Sequence, residues 1–447
     1  MQTTAGEQPT REGLIRAIRR WDLIALAVNA IIGAGIFGLP AEVFRRVGVY
    51  SLLAFVVCAA AMTLIVLCLA EVSSRFSDTG GPYLYAREAF GPIVGFQVGW
   101  MTWIARLTGF AANCNLLIVY VSFFVPSAGT GLGRATAICL VVVSLTIVNV
   151  IGVRNAARVS DAFTVAKLVP LTVFVVIGSF FVDPAAYAPG PLPAFGDFSV
   201  AVLLLVYAFT GFEMVALAGG ESRNPRFDLP RALLVAIGVV SVFYLAIQAV
   251  AIGTLPQLAT ASRPLSDAAG RFLGNAGATL LATGAVISLA GNLNVIMLVG
   301  PRLPFAMAQR RELPAWLATT HPRYHTPHVA IVVTAVMMLA LTLSGTFVYA
   351  VTVSVIARLL SYGATCAALP VLRRRANAPP AAFLAPAGGA AALVALVLVA
   401  WLLSNSTSSE AMAAAIAAAV GMLVYALCGW RHRKRLSSET VSLPFSS

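Results

Sequence analysis

Apolar residues run through this chain in long uninterrupted stretches, without the alternation of a half-buried strand or the polar face of a soluble helix. Stretches of roughly 18 to 25 mostly apolar residues recur along the whole length, each long enough to cross about 30 Å of hydrocarbon as a helix. The pattern predicts about twelve spans, at 21–44, 50–71, 93–125, 135–153, 159–182, 198–219, 231–254, 275–300, 329–345, 347–370, 383–403 and 411–430. Two of them are interrupted. Span 1 contains "AVNAIIGAGIFGLP", with Gly33, Gly35 and Pro40 in an otherwise regular apolar helix. Span 6 contains "VYAFTGFEMVALAGG", with Gly211 two residues before the acidic Glu213.

Glycine in a membrane helix often marks close packing, and a small-xxx-small pattern alone would mean only that. Gly33 and Gly35 are two apart and cannot share a packing face, and Pro40 follows, so local unwinding is expected. Backbone groups freed in lipid must line a cavity or be buried in protein. The two broken segments lie five spans apart, as in an inverted repeat of two five-helix halves with a site near the bilayer midplane. Spans 11 and 12 carry almost no polar residue and read as peripheral helices, with a homo-oligomer contact as one use for them.

Composition agrees with this picture. Of 447 residues 59% are hydrophobic and 11% charged, with a mean hydropathy of +0.89, too little charge for a soluble surface of this size. The first twenty residues are polar and basic and lack the apolar core and small-residue cleavage site of a signal peptide, so span 1 is expected to stay in the membrane. The net charge is +13, and the basic residues alternate sides. Loops sharing a face with the N-terminus hold 22 of the 30, and opposite loops hold five (Arg45, Arg46, Arg134, Arg263, Arg271). Arg106, Lys167 and Arg358 lie within spans. The positive-inside rule puts both termini in the cytoplasm, which an even number of crossings requires. The charge therefore reads as topology and attraction to anionic headgroups, with no need of nucleic acid. The six cysteines fall within apolar spans, and the histidines show no ligand spacing, so neither a disulfide framework nor a metal site is expected.

Five ordered stretches over residues 20 to 375 resemble the signatures of the amino acid–polyamine–organocation transporters. They are "GAGIFGLPAEV", "RFSDTGGPYLYAREAFGP" at 75–92, "YAFTGFEMVALAGGESRNPRFDLPRAL" at 207–233, "PRLPFAMAQRRELPAWLATTHPRYHTPHVA" at 301–330 and "ARLLSYGATCAALPVLRRR" at 357–375. The resemblance implies an all-α polytopic membrane fold with a LeuT-type five-plus-five inverted repeat and two peripheral helices. Its parts would be a cytoplasmic tail at 1–20, a first repeat at 21–182, a second inverted repeat at 198–370, peripheral spans at 383–430 and a cytoplasmic tail at 431–447. It also implies a substrate held between spans 1, 3, 6 and 8, and sodium-independent uptake or exchange of amino acids across the cell membrane, without a cofactor.

An amino acid presents a carboxylate that needs N–H donors and an ammonium that needs acceptors. A half-helix starting near Gly33–Gly35 offers unpaired N–H groups and the positive end of its dipole. Ala34 stands where relatives often carry Ser or Thr, which leaves the donors mainly to the backbone. The family pattern places acceptor carbonyls near Ile31, Ala208 and Thr210, with Ile32 and Gly211 at the same breaks. Tyr207 falls where relatives carry an aromatic that covers the substrate, with a lipid-facing interface aromatic as its rival. Asn113 and Asn115 sit deep in span 3, where amides need partners, and Asn113 fits the family's substrate face better. Ala34, Phe110 and Ile296 suggest a pocket without fixed charge and hence neutral substrates.

Glu213 looks like part of a gate or proton network; otherwise it is a buried carboxyl kept neutral or paired with Arg106 or Arg358. Lys167, in "DAFTVAKLVP", is one of two lysines among 28 arginines. A desolvated lysine can give up its proton where arginine stays charged. In proton-coupled members of the family a lysine at this point of span 5 stands where sodium-coupled relatives bind an ion, so protons are the expected coupling partner; a lysine snorkelling to the cytoplasmic interface is the alternative. A channel would show polar rings in several helices, and an enzyme a catalytic or metal-binding constellation; neither pattern is present. Within transport, exchange without proton coupling and a polyamine or organic-cation substrate stay open.

Overall fold

The computed structural model describes residues 20–76, 81–152, 156–217, 222 and 224–441. The N-terminal tail before Arg20, residues 77–80 and 218–221 with 223 in two of the family-like stretches, residues 153–155 in the loop after span 4, and the last six residues lie outside the described residues. The described chain is helical and forms no β-sheet. Among the described residues eight stretches are long and apolar enough to cross a membrane, and the shorter apolar helices Lys167–Phe181, His328–Ser344 and Gly388–Ser404 accompany them. The fold is that of an all-α polytopic membrane protein.

Span 1 is two helices, α1 (Arg20–Ile31) and α2 (Ala34–Val47). Then follow α3 (Ser51–Ser73), the short α4 (Gly81–Phe90), α5 (Pro92–Val121), α6 (Gly131–Ile151) and α7 (Ala156–Gly178). Span 6 divides likewise into α8 (Phe195–Phe209) and α9 (Glu213–Leu217). The chain continues with α10 (Pro225–Thr254), α11 (Pro264–Val299), the short α12 (Arg302–Gln309), α13 (His328–Ser344), α14 (Phe347–Arg374), α15 (Gly388–Ser404) and α16 (Ser408–Val441). With each broken pair counted as one span, these helices follow the order that hydropathy predicts. Helix α11 begins earlier than span 8 because Gly274, at φ +63°, turns the chain between a first segment and the long apolar one.

Packing repeats with an offset of five spans. Helix α1 lies on α10 as α8 lies on α3, α5 lies on α14 as α11 lies on α7, and the equivalent pairs α3/α10 and α5/α11 meet each other. The innermost helices are α5 and the α8–α9 pair, with 83% of their most apolar stretch buried in protein. That share is 17% for α6 and 11% for α16. Helix α15 packs on α14, α3 and α8, and α16 on α14 and α5.

Polar anchors fix the ends of the core helices. The buried Glu71 at the end of α3 accepts from Arg373 Nε (2.7 Å) and Nη2 (2.6 Å), from Ala385 N (2.8 Å) and from Arg75 Nη2 (3.3 Å). On α4, Arg87 pairs with Glu312, and Tyr83 Oη donates to the same carboxylate at 3.0 Å. Burial, with the Glu312 charge beside it, pushes the Tyr83 hydroxyl above its ordinary pKa and keeps it a donor. At the opposite ends of the helices, Arg134 Nη2 donates to Asn115 Oδ1 at 2.5 Å, which accounts for the second span 3 amide.

Candidate functional site

The two breaks face each other. Helix α1 ends at Ile31, residues 32 and 33 are non-helical, and α2 starts at Ala34 with Gly33 as its N-cap and no side chain satisfying the first turn. Helix α8 ends at Phe209, and Gly211 carries the chain across at φ +114°. A side chain there is strained whatever the space, and a Cβ would run into Ala30 O across the gap. At Gly35 a Cβ would collide with the backbone of Ala208, so α2 and α8 approach only because that hydrogen stands in place of a methyl.

Between the breaks lies a cavity of about 40 Å³, room for about three waters on a scale where one needs about 10–15 Å³. Of the expected site residues, Ile31, Gly33, Ala34, Gly35, Asn113, Tyr207, Thr210 and Gly211 line it together. Ile296 lines it too, whereas Phe110 is fully buried and does not line it. Ile32 and Ala208 are at the breaks but not on the cavity wall, and their carbonyls hold the breaks in place.

Three small networks organise the wall. On one side Asn292 Nδ2 donates to Asn113 Oδ1 (2.9 Å), Asn113 Nδ2 to Tyr207 Oη (2.7 Å), and Tyr207 Oη to Gly109 O (3.1 Å). Tyr207 is therefore a buried, hydrogen-bonded cavity residue and not a lipid-facing aromatic. On the second side Tyr244 Oη lies 3.1 Å from both Ile31 O and Ala208 O and ties the ends of α1 and α8. Each carbonyl has a second lone pair, and of the two residues Ile31 lines the cavity. On the third, Lys167 Nζ donates to Asn29 O (2.6 Å) and Ile32 O (2.9 Å). The amine is buried in protein and bound to α1, which is not the position of a snorkelling side chain.

Beneath the cavity Glu213 opens α9. Its Oε2 accepts from Gly211 N (2.9 Å) and Tyr362 Oη (2.9 Å), and its Oε1 pairs with Arg358. Of the two arginine partners open to it from the sequence, the structure selects Arg358; Arg106 Nη1 instead donates to Val299 O at 3.3 Å. Arg358 also lines the cavity, so the wall carries a fixed charge that the neutral pocket expected from Ala34, Phe110 and Ile296 lacked. Tyr244 and Asn292 were not anticipated. A tyrosine or amide within an apolar span needs a buried partner, and that rule applied to spans 7 and 8 points to both. Among the described residues no group of His, Cys, Asp and Glu side chains is placed to hold a metal.

A polytopic helical protein with two facing helix breaks around a cavity has the architecture of a membrane carrier. The amino acid permease family profile matches residues 18–425. The chain is 33% identical to an uncharacterized transporter of Mycobacterium tuberculosis (strain H37Rv) over 73% of its own length and 74% of the relative's. It is 31% identical to the serine/threonine exchanger SteT of Bacillus subtilis over 71% and 74%, and 25% identical to the branched-chain amino acid permease BcaP of the same organism over 96% of each. The chain belongs to the amino acid permease family.

Proposed function

We propose that this protein is a secondary active transporter that takes amino acids up across the cytoplasmic membrane by alternating access, independent of sodium and coupled to protons. Both termini are cytoplasmic in this reading, and residues 21–182 and 198–370 are the two inverted halves. The observation that carries it is the cavity between the two breaks, where the donors at the start of α2 and the acceptors at the ends of α1 and α8 match the two charges of an amino acid. The carboxylate sits on the N–H groups of Ala34 and Gly35, where the helix dipole favours an anion and Gly35 offers no Cβ. The ammonium takes the free lone pair of Ile31 O, with Thr210 beside it. Asn113 and Tyr207 close the wall over the backbone of the substrate. The small cavity favours small side chains, in keeping with the serine/threonine substrates in the name of one relative.

Lys167 supplies the coupling. Its ammonium pins Asn29 O and Ile32 O, two carbonyls of the α1 end. Loss of the proton removes the charge that strengthens those bonds and releases α1 from α7, which links proton release to movement of span 1 against span 5. Glu213 holds α9 against α14 through Arg358 and acts as the gate beneath the site. A second reading, obligate exchange without proton coupling, is favoured by the relative named as an exchanger. Proteoliposomes without internal amino acid separate the two: a proton gradient, acid outside, drives accumulation in the first reading, and uptake waits for counter-substrate in the second.

A further inference from the structure

We infer that Arg358, balanced by Glu213, sets the charge preference of the site, which accepts amino acids with uncharged side chains and rejects those carrying a second positive charge. The inference rests on the amino acid reading above and adds a substrate class to it. Arg358 is shared between two cavities. It lines the larger one between the breaks, and it lines a second, of about 10 Å³, with Thr102, Arg106, Glu213, Ser361 and Tyr362. The second holds about one water, so no substrate side chain passes Arg358, and its guanidinium forms the floor that a side chain meets. One end of that guanidinium faces Glu213; the other faces Gly109, where a Cβ would stand 3.5 Å from Arg358 Nη2. Gly109 O is also the acceptor for Asn113 Nδ2 (2.8 Å) and Tyr207 Oη, so the charge lies directly under the amide network of the wall.

The balance of charge decides the sign. The charged side chains facing the two cavities are Arg106 on α5, Glu213 on α9 and Arg358 on α14, with the tyrosines Tyr207 and Tyr362 beside them, and Lys167 on α7 holds the other flank of the α1 end. Two guanidinium groups face one carboxylate, and the start of α2 adds the positive end of a helix dipole. The carboxylate is already engaged by Arg358, Tyr362 and the Gly211 amide and turns no free oxygen toward the larger cavity. An uncharged side chain pays nothing to this field, whereas a side-chain ammonium enters it without a counter-ion in a medium that screens poorly.

Homoserine and 2,4-diaminobutyrate, alike in length but with a hydroxyl against an ammonium, test the inference as competitors of radiolabelled amino acid uptake in proteoliposomes. The labelled mixture contains all twenty amino acids. For the wild type, 2,4-diaminobutyrate is expected to compete at least thirtyfold more weakly than homoserine. In Arg358→Gln the exposed Glu213 carboxylate should narrow that ratio below fivefold. In the double variant with Glu213→Gln the remaining basic groups should widen it above tenfold again, a reversal that loss of structure alone does not produce. Competition by the two compounds within threefold in the wild type, a measurement that needs no variant to fold, overturns the inference and leaves amino acid transport standing. An unchanged ratio in a folded Arg358→Gln does the same. Absence of uptake for every labelled amino acid overturns the amino acid reading and this inference with it.

Discussion

Gly35 and Lys167 carry opposite kinds of information at the same break. Gly35 matters for the atom it lacks: a side chain there meets the Ala208 backbone of α8, and backbone cannot rotate away as a flexible side chain can. Gly35→Val should therefore lower amino acid affinity at least a hundredfold, measured by ligand-induced thermal shift, while membrane insertion and the detergent elution profile stay those of the wild type. Lys167 matters for what it binds, Asn29 O and Ile32 O at the α1 end, and in the proposed mechanism for the proton it carries there. Lys167→Ala is expected to abolish accumulation above equilibrium under a proton gradient while leaving counterflow within about threefold of the wild type. Full gradient-driven accumulation by this variant removes Lys167 from the coupling.

At the scale of elements, single side chains hold the half-helices. Tyr244 on α10 bridges the α1 and α8 ends, and one such bond contributes about 0.5–1.5 kcal/mol. Tyr244→Phe should weaken substrate binding about fivefold and shift no selectivity, with affinity read by the same thermal assay. Glu71 joins α3, α14 and the segment before α15. Its removal takes the shared carboxylate from Arg373 and Arg75 and leaves each only a backbone carbonyl acceptor, so Glu71→Ala should be among the least heat-resistant variants in a detergent melting series. The breaks themselves were legible in the sequence because glycine and proline interrupt an apolar run that has no other reason to stop. The partner of Glu213 was not: Arg106 and Arg358 are both arginines within spans, and only the placement of α9 against α14 separates them. Phe110, next to Gly109, is fully buried and does not line the cavity.

For the whole molecule, hydropathy predicts the order of the helices, and the paired breaks lie five spans apart, the offset at which helix contacts recur. What the pattern along the chain does not contain is closure. Asn292 reaches Asn113 across 179 positions and Tyr244 reaches Ile31 across 213, distances at which no local rule operates. The account as a whole stands on one claim, that the cavity between the breaks moves an amino acid with a proton. Uptake of radiolabelled serine into proteoliposomes free of internal amino acid, with an inward proton gradient imposed, measures it most directly. The account predicts accumulation above the external concentration, collapse of that accumulation by a protonophore, and no accumulation in Gly35→Val. Uptake that only equilibrates, unaltered by the gradient, or equal uptake by Gly35→Val, contradicts it.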